Sequence, residues 1–293
     1  MRQTLVTLLL AVATVAGAQS PAPAVAPTPT PAPTPALSAF PGQYAPSPSD
    51  WRFPVWPSGC GRFQSDERQA CLEFVALDFG RLSRFAAANA LLSAPQPGET
   101  RVVFFGDSIT DGWSAPQNGG FFPGKAYVNR GISGQTTTQM LVRFRQDVIA
   151  LQPAAVVILA GTNDISGNSG PVDLATIEAN LATMSELAKL HGVKVILASL
   201  LPVTDAKTDR EGRPRVQTRS RPPEKIQAVN VWLGDYARQN GDVYLDYFSA
   251  VADGAGLLRS DLTDDGLHPN AAGYALMAPL AEKAIAVALA SGH

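Results

Sequence analysis

The stretch Arg101-Val102-Val103-Phe104-Phe105-Gly106-Asp107-Ser108-Ile109-Thr110 joins an unbroken apolar run to a glycine-led polar turn. A run of Val and Phe with no polar alternation leaves no face for solvent, so it reads as a strand covered on both sides, the habit of parallel sheets. Gly106 permits a sharp turn, and Ser108 then falls at the start of a helical turn, where unpaired backbone N–H groups favour negative charge. Four more runs of this kind lie at 126–129, 155–160, 193–199 and 243–247. Helical patterns accompany them over 136–151, 172–190, 223–240 and 271–290. Short buried strands alternating with helices predict an α/β fold on a parallel sheet, and the residues after the N-terminal region fit one domain. The last helix is apolar, but Pro279, Glu282 and Lys283 interrupt it, so it is not read as a membrane span.

Upstream of this region the character of the chain changes. Met1 and Arg2 lead into an apolar run from Leu5 to Val15 and the small residues Ala16-Gly17-Ala18, the layout of a cleaved secretory signal over 1–18. The run is shorter than the ~20 residues that span a bilayer, so no transmembrane anchor is expected after cleavage. Residues 19–50 alternate Pro with Ala, Thr and Ser and read as an extended spacer. Half of the 24 prolines lie between Pro21 and Pro57. Residues 51–98 form an entry segment in which Cys60 and Cys71 are expected to pair as a disulfide in an exported, secreted or periplasmic protein. A single helical pattern runs from Asp66 to about Leu92, until Pro95-Gln96-Pro97-Gly98 stops it. The α/β domain then occupies 99–293.

Composition excludes other classes. Across 293 residues, 23 basic and 25 acidic side chains give a net charge of −2, with no basic stripe for nucleic acid. Two cysteines and three histidines cannot build the usual structural zinc sites, and no metal or cofactor is expected. Imidazole chemistry must pass through His191, His268 or His293. His191 precedes Gly192 at a helix end, which suits the dipole and a left-handed cap, and His293 is the terminal residue.

In an open parallel sheet, ligands gather outside the carboxyl ends of the strands. Those positions carry Gly106-Asp107-Ser108-Ile109-Thr110, Asn129-Arg130-Gly131-Ile132-Ser133-Gly134, Gly161-Thr162-Asn163-Asp164 and Asp265-Gly266-Leu267-His268-Pro269-Asn270. They offer a hydroxyl, backbone and amide donors, and an imidazole three residues after a carboxylate. Acyl transfer needs that set: a neutral serine needs a base, the base an orienting acid, and the tetrahedral intermediate preplaced donors. The order Ser, Asp, His lacks the G-x-S-x-G elbow, so a different fold carries these roles.

The four blocks GDSIT, NRGISG, GTND and DGLHPN resemble those of the SGNH (GDSL) hydrolase superfamily, over roughly 101–290. The stretch LDFGRLSRFAAANALL also resembles the entry helix of a bacterial exported esterase group within it. The resemblance implies a three-layer α/β/α sandwich on a five-stranded parallel sheet of flavodoxin-like order, and metal-free hydrolysis of carboxylic esters or some thioesters. It implies Ser108 as nucleophile, His268 as base and Asp265 as the orienting acid. The oxyanion hole would take the Ser108 amide, the Gly134 N–H and the Asn163 side chain. Asp107 would hold the turn, while Asn129 and Gly131 would shape the loop.

The leading expectation is a serine ester hydrolase of acylhydrolase type, lysophospholipase- or thioesterase-like, taking a small-molecule or polymer-linked ester. A carbohydrate O-acetylesterase is the alternative among enzymes, and a carbohydrate or cell-wall binding module the alternative outside them. Three features are open at this level. The glycine-rich loop 165–171 is expected to move on binding. The loop 204–221 carries Lys207, Arg210, Arg213, Arg215, Arg219 and Arg221 against Asp205, Asp209 and Glu211, either an anion-favouring edge or a solvated loop of mixed charge. Trp113, Phe121 and Phe122 either line a pocket or pack the core.

Overall fold

The computed structural model describes residues 57–290. The leader and spacer readings, and His293, lie outside the described residues. Two entry helices, α1 (Ser65–Leu77) and α2 (Ser83–Leu91), precede β1 (Val102–Gly106), α3 (Ser108–Gly112) and β2 (Tyr127–Gly131). Then follow α4 (Thr137–Asp147), β3 (Ala155–Leu159), α5 (Thr162–Ile165), α6 (Leu174–Leu190) and β4 (Lys194–Ala198). The chain closes with α7 (Gln217–Ser220), α8 (Pro223–Asn240), β5 (Val243–Leu245), α9 (Phe248–Val251) and α10 (Ala271–Ala290).

The five strands form one sheet in the order β2-β1-β3-β4-β5, with every pair parallel. This is the doubly wound, three-layer arrangement of flavodoxin-like order. β1 and β3 are buried at every position, as continuous apolar runs require when helices cover both faces. α4, α6 and α8 pack side by side as one layer, while α10 lies against β3, β4 and β5 in the other. α10 has the length and apolarity of a membrane span, and it runs on through Pro279. Its face of Gly273, Tyr274, Met277, Ala281, Ala284, Ile285 and Ala288 is buried in this domain.

The entry segment departs from the single helix expected over 66–92. It breaks between α1 and α2, where Arg81 takes a left-handed φ of 57°. The Asp78 carboxylate accepts the backbone N–H groups of Leu82 and Ser83 and so starts the second helix. Cys60 and Cys71 are joined by a disulfide and bury with Phe74 and Val75 as a small separate core.

Trp113 and Phe122 are buried, and Phe121 is partly so. They pack with Phe104, at centroid separations of 4.9 Å for Phe104–Phe122 and 5.1 Å for Trp113–Phe122, so they serve as core. Beneath the sheet's carboxyl edge sits Arg143, fully buried and ion-paired with the equally buried Asp147 at 3.1 Å. Its guanidinium also donates to Gly106 O, to Arg130 O and to Gln135 Oε1. One side chain thereby ties the ends of β1 and β2 and the loop beyond β2 together.

Candidate active site

β1 lies between β2 and β3, with Gly106 in register with both Gly131 and Leu159. Successive connections leave β1 in opposite directions here, so the crevice of a doubly wound sheet opens at this point. The loops after β1, β2 and β3 therefore emerge side by side. The turn after β1 is tight because two glycines allow close approach. A Cβ on Gly106 would lie 2.0 Å from Thr110 Oγ1, and one on Gly131 would lie 2.1 Å from the backbone N of Asp111. α3 thus rests on the backbone of β2. Gly131→Ala is expected to cost about 1–3 kcal/mol by overpacking and to displace α3. Chemical denaturation and ester turnover together check it, both falling in the variant.

Asp107 caps α3 by accepting the Ile109 N–H at 2.9 Å, which agrees with its expected structural part. Asn129 likewise fastens the neighbouring backbone: its amide donates to Thr110 O and its oxygen accepts from the Gly131 N–H. Ser108 is the first residue of α3, so its own N–H is among those a helix leaves without an internal acceptor.

His268 reaches this turn from the far end of the sequence. Its Nε2 lies 2.9 Å from Ser108 Oγ, and its Nδ1 lies 2.7 Å from Asp265 Oδ2. The other Asp265 oxygen accepts the backbone N–H groups of Leu267 at 3.0 Å and His268 at 2.8 Å, so the three-residue spacing folds into a closed turn. Gly266 holds φ 85°, and a Cβ there would lie 2.3 Å from Thr204 O. The Thr204 N–H donates to Gly266 O and Gln217 Nε2 donates to Asp265 O, which pins the turn to the loop after β4. The His268 side chain remains 39% exposed, within reach of a solute.

The donors expected from the second and third loops follow β2 and β3, the two strands that flank β1. Gly134 has φ 83°, and its N–H meets no acceptor among the described residues. Asn163, the second residue of α5, directs Nδ2 to Gln135 O at 3.1 Å and, at a longer 3.3 Å, to Asp107 Oδ2. Its Oδ1 accepts from Arg221 Nη2 at 3.4 Å and Asn168 Nδ2 at 3.2 Å.

Asn168 Nδ2 also donates to Gly134 O at 2.9 Å, and its N–H to Asn163 O. These bonds tie the loop 165–171 across the site. Its glycines serve geometry: Gly167 takes φ 74° and Gly170 φ 102°.

The loop 204–221 also resolves. Asp209 and Glu211 pair with Arg213, and Asp205 accepts from Thr218, so much of its charge is balanced at the surface. Arg221 is the exception, because it is buried and turned toward Thr162 and Asn163. Neither Arg221 nor Asn168 stands out in the sequence as a site residue. His191 ends α6 beside Gly192, whose φ is 73°, and touches Arg145, away from these groups.

Electrostatics separate the carboxylates. Burial pushes the Asp265 carboxyl up, but the His268 side-chain bond, the imidazolium charge and two backbone N–H groups outweigh it and hold it well below the usual range. Burial dominates at Asp107 and Asp164, which rise to about 6. At Asp107 the Ile109 N–H and the charges of His268 and Arg221 oppose the rise. An imidazole between a hydroxyl and an ionised carboxylate can take the hydroxyl proton while the resulting cation is stabilised. Among the described residues, no group of three His, Cys, Asp or Glu side chains is placed to hold a metal ion.

The model of the GDSL-like Lipase/Acylhydrolase family matches residues 104–276, from inside β1 into α10. A GDSL-like lipase of Bacteroides thetaiotaomicron has a similar structure, with a TM-score of 0.65 and 41% identity over 72% of this chain and 100% of that one. Esterase TesA of Pseudomonas aeruginosa is 29% identical over 192 residues, 64% of this chain and 83% of its own length. An acetylxylan esterase of Geobacillus stearothermophilus is 36% identical over 87 residues, 22% of this chain and 40% of its own length. With the family model covering more than half of the chain and all four strand-end blocks, the chain belongs to the GDSL-like lipase/acylhydrolase family and is a carboxylic ester hydrolase.

Proposed function

We propose that the protein hydrolyses carboxylic esters through an acyl-Ser108 intermediate. His268 Nε2 takes the Ser108 hydroxyl proton as Oγ attacks the ester carbonyl. Asp265 holds the ring with its proton on Nδ1 and stabilises the imidazolium. The carbonyl oxygen becomes an oxyanion facing the N–H groups of Ser108 and Gly134 and the Asn163 amide. The intermediate collapses, the alcohol leaves with the proton from Nε2, and water repeats the sequence to release the carboxylic acid. The observation that carries this reading is the continuous line from Asp265 Oδ2 through the imidazole to Ser108 Oγ, at 2.7 and 2.9 Å.

A binding module would have no use for that line, and labelling with a fluorophosphonate separates the two. One adduct per chain at Ser108 is expected. An unlabelled, folded protein would favour the binder.

Substrate choice is tested by comparing nitrophenyl acyl esters of increasing chain length with acetylated xylan and a lysophospholipid. A kcat/KM highest on the acyl esters supports the general acylhydrolase. A preference for acetylated xylan by more than about tenfold supports the second reading, a carbohydrate O-acetylesterase, which the likeness to the acetylxylan esterase favours.

The protein is proposed to be exported, with a leader at 1–18, a spacer at 19–50, an entry segment at 51–98 and the hydrolase domain at 99–293. The leader pattern and the Cys60–Cys71 disulfide support this organisation, since disulfides persist in oxidising compartments.

A further inference from the structure

Arg221 is 8% exposed, yet it joins no ion pair among the described residues. Its guanidinium donates only to uncharged groups: Nε to Thr162 Oγ1 at 3.2 Å, Nη1 to Gln217 Oε1 at 3.4 Å and Ser220 Oγ at 3.2 Å, and Nη2 to Asn163 Oδ1 at 3.4 Å. A buried cation without a partner carboxylate is costly, and here the charges of Asp107 and Asp265 offset the burial only at a distance. A leucine or glutamine could fill the space without that cost. The position therefore calls for a use of the charge, and the partner of Arg221 that belongs to the oxyanion hole is Asn163.

An asparagine amide can turn end for end, and only one orientation offers N–H to a developing oxyanion. At Asn163 two donors, Arg221 Nη2 and Asn168 Nδ2, occupy the oxygen, and Nδ2 points the other way, to Gln135 O and to Asp107 Oδ2 in the turn that carries Ser108. A cation on an amide oxygen also draws electron density from the nitrogen, so each N–H becomes a stronger donor.

We propose that Arg221 is a positioning residue of the oxyanion hole: it fixes the Asn163 amide with Nδ2 toward the reacting carbonyl and supplies a buried positive charge that acts through that amide. The proposal rests on the reading of Asn163 as a hole donor. It assigns Arg221 no contact with the substrate. The charge matters most when the oxyanion forms, so its loss falls on kcat rather than KM.

The test is a kinetic cycle on a nitrophenyl ester with the full chain, using Arg221→Gln, Asn163→Ala and the double variant. Asn163→Ala alone is expected to lower kcat by about 100-fold, the usual effect of removing one hole donor. Arg221→Gln is expected to lower kcat about tenfold or more with KM within about threefold. In the Asn163→Ala background, Arg221→Gln should cost less than about threefold, because the group it acts through is gone. Arg221→Lys, which keeps the charge but loses the planar fork, should fall between wild type and Arg221→Gln, and it carries the same cycle if the glutamine variant does not fold. A folded Arg221→Gln with kcat within threefold of wild type, or losses that multiply in the double variant, overturns the proposal while the reading of Asn163 stands. An unchanged kcat in Asn163→Ala overturns that reading, and the proposal with it.

Discussion

Replacing Ser108 by alanine is expected to lower kcat on a short-chain nitrophenyl ester by at least ~10⁴-fold, since losing the nucleophile removes the covalent route and leaves only the donors and binding. Stability should barely change. The Ser108 hydroxyl meets the His268 ring, whose side chain is 39% exposed, so its removal leaves no buried polar group without a partner. Asp107 still caps α3 through the Ile109 N–H, and the glycine contacts that seat the turn involve only backbone and Thr110. Thermal unfolding should therefore superimpose on wild type while fluorophosphonate labelling disappears. Residual activity within tenfold of wild type would remove Ser108 from the mechanism.

The parts of this site that were legible in the sequence share one property: each is fixed by residues close to it in the chain. Ser108 follows Asp107, its local cap, and His268 follows Asp265, whose carboxylate closes a turn three residues long. The strands were legible for a related reason. Burial on both faces leaves an unbroken apolar run at β1 and β3, and the five expected runs correspond to β1–β5 with ends displaced by at most two residues. Displacement is expected where a strand passes into a turn and apolar residues continue past the last ladder bond.

Periodicity misled where tertiary structure overrode it. Leu72, Val75, Phe79, Leu82 and Phe85 keep near-helical spacing across the break between α1 and α2, so nothing in the apolar pattern marks it. The signal lies in Asp78, four residues before Leu82: its carboxylate accepts the Leu82 and Ser83 N–H groups. Glycine content at 165–171 does not discriminate by itself, because left-handed turns and mobility make the same compositional demand. Arg221 was hidden for a deeper reason. Its meaning depends on Thr162 and Asn163, about sixty positions away in sequence, and among five other basic residues of its loop nothing local distinguishes the one that turns inward.

Asp265→Asn is expected to lower kcat by about 10³–10⁴-fold while preserving much of the turn. The amide oxygen can still accept the Leu267 and His268 N–H groups that Oδ1 accepts in the native protein. The other end of the amide then presents N–H groups to His268 Nδ1, which must become an acceptor, so the ring carries its proton on Nε2. A protonated Nε2 cannot take the Ser108 proton. The pH dependence follows from the same geometry. The Asp265 carboxyl is held well below its ordinary range, so it stays ionised throughout a neutral or mildly acidic assay. The loss of wild-type activity on acidification then does not report protonation of Asp265. A depressed folded-state pKa also adds stability above the unfolded value, ~3.9, that is lost as pH falls through the folded value. Asp265→Asn should accordingly be less stable than wild type at neutral pH, with the two converging in strong acid. Asp265→Ala, which also strands two backbone donors, should lose a further ~1–3 kcal/mol at every pH. A kcat for Asp265→Asn within tenfold of wild type would show that the ring finds its tautomer without the carboxylate.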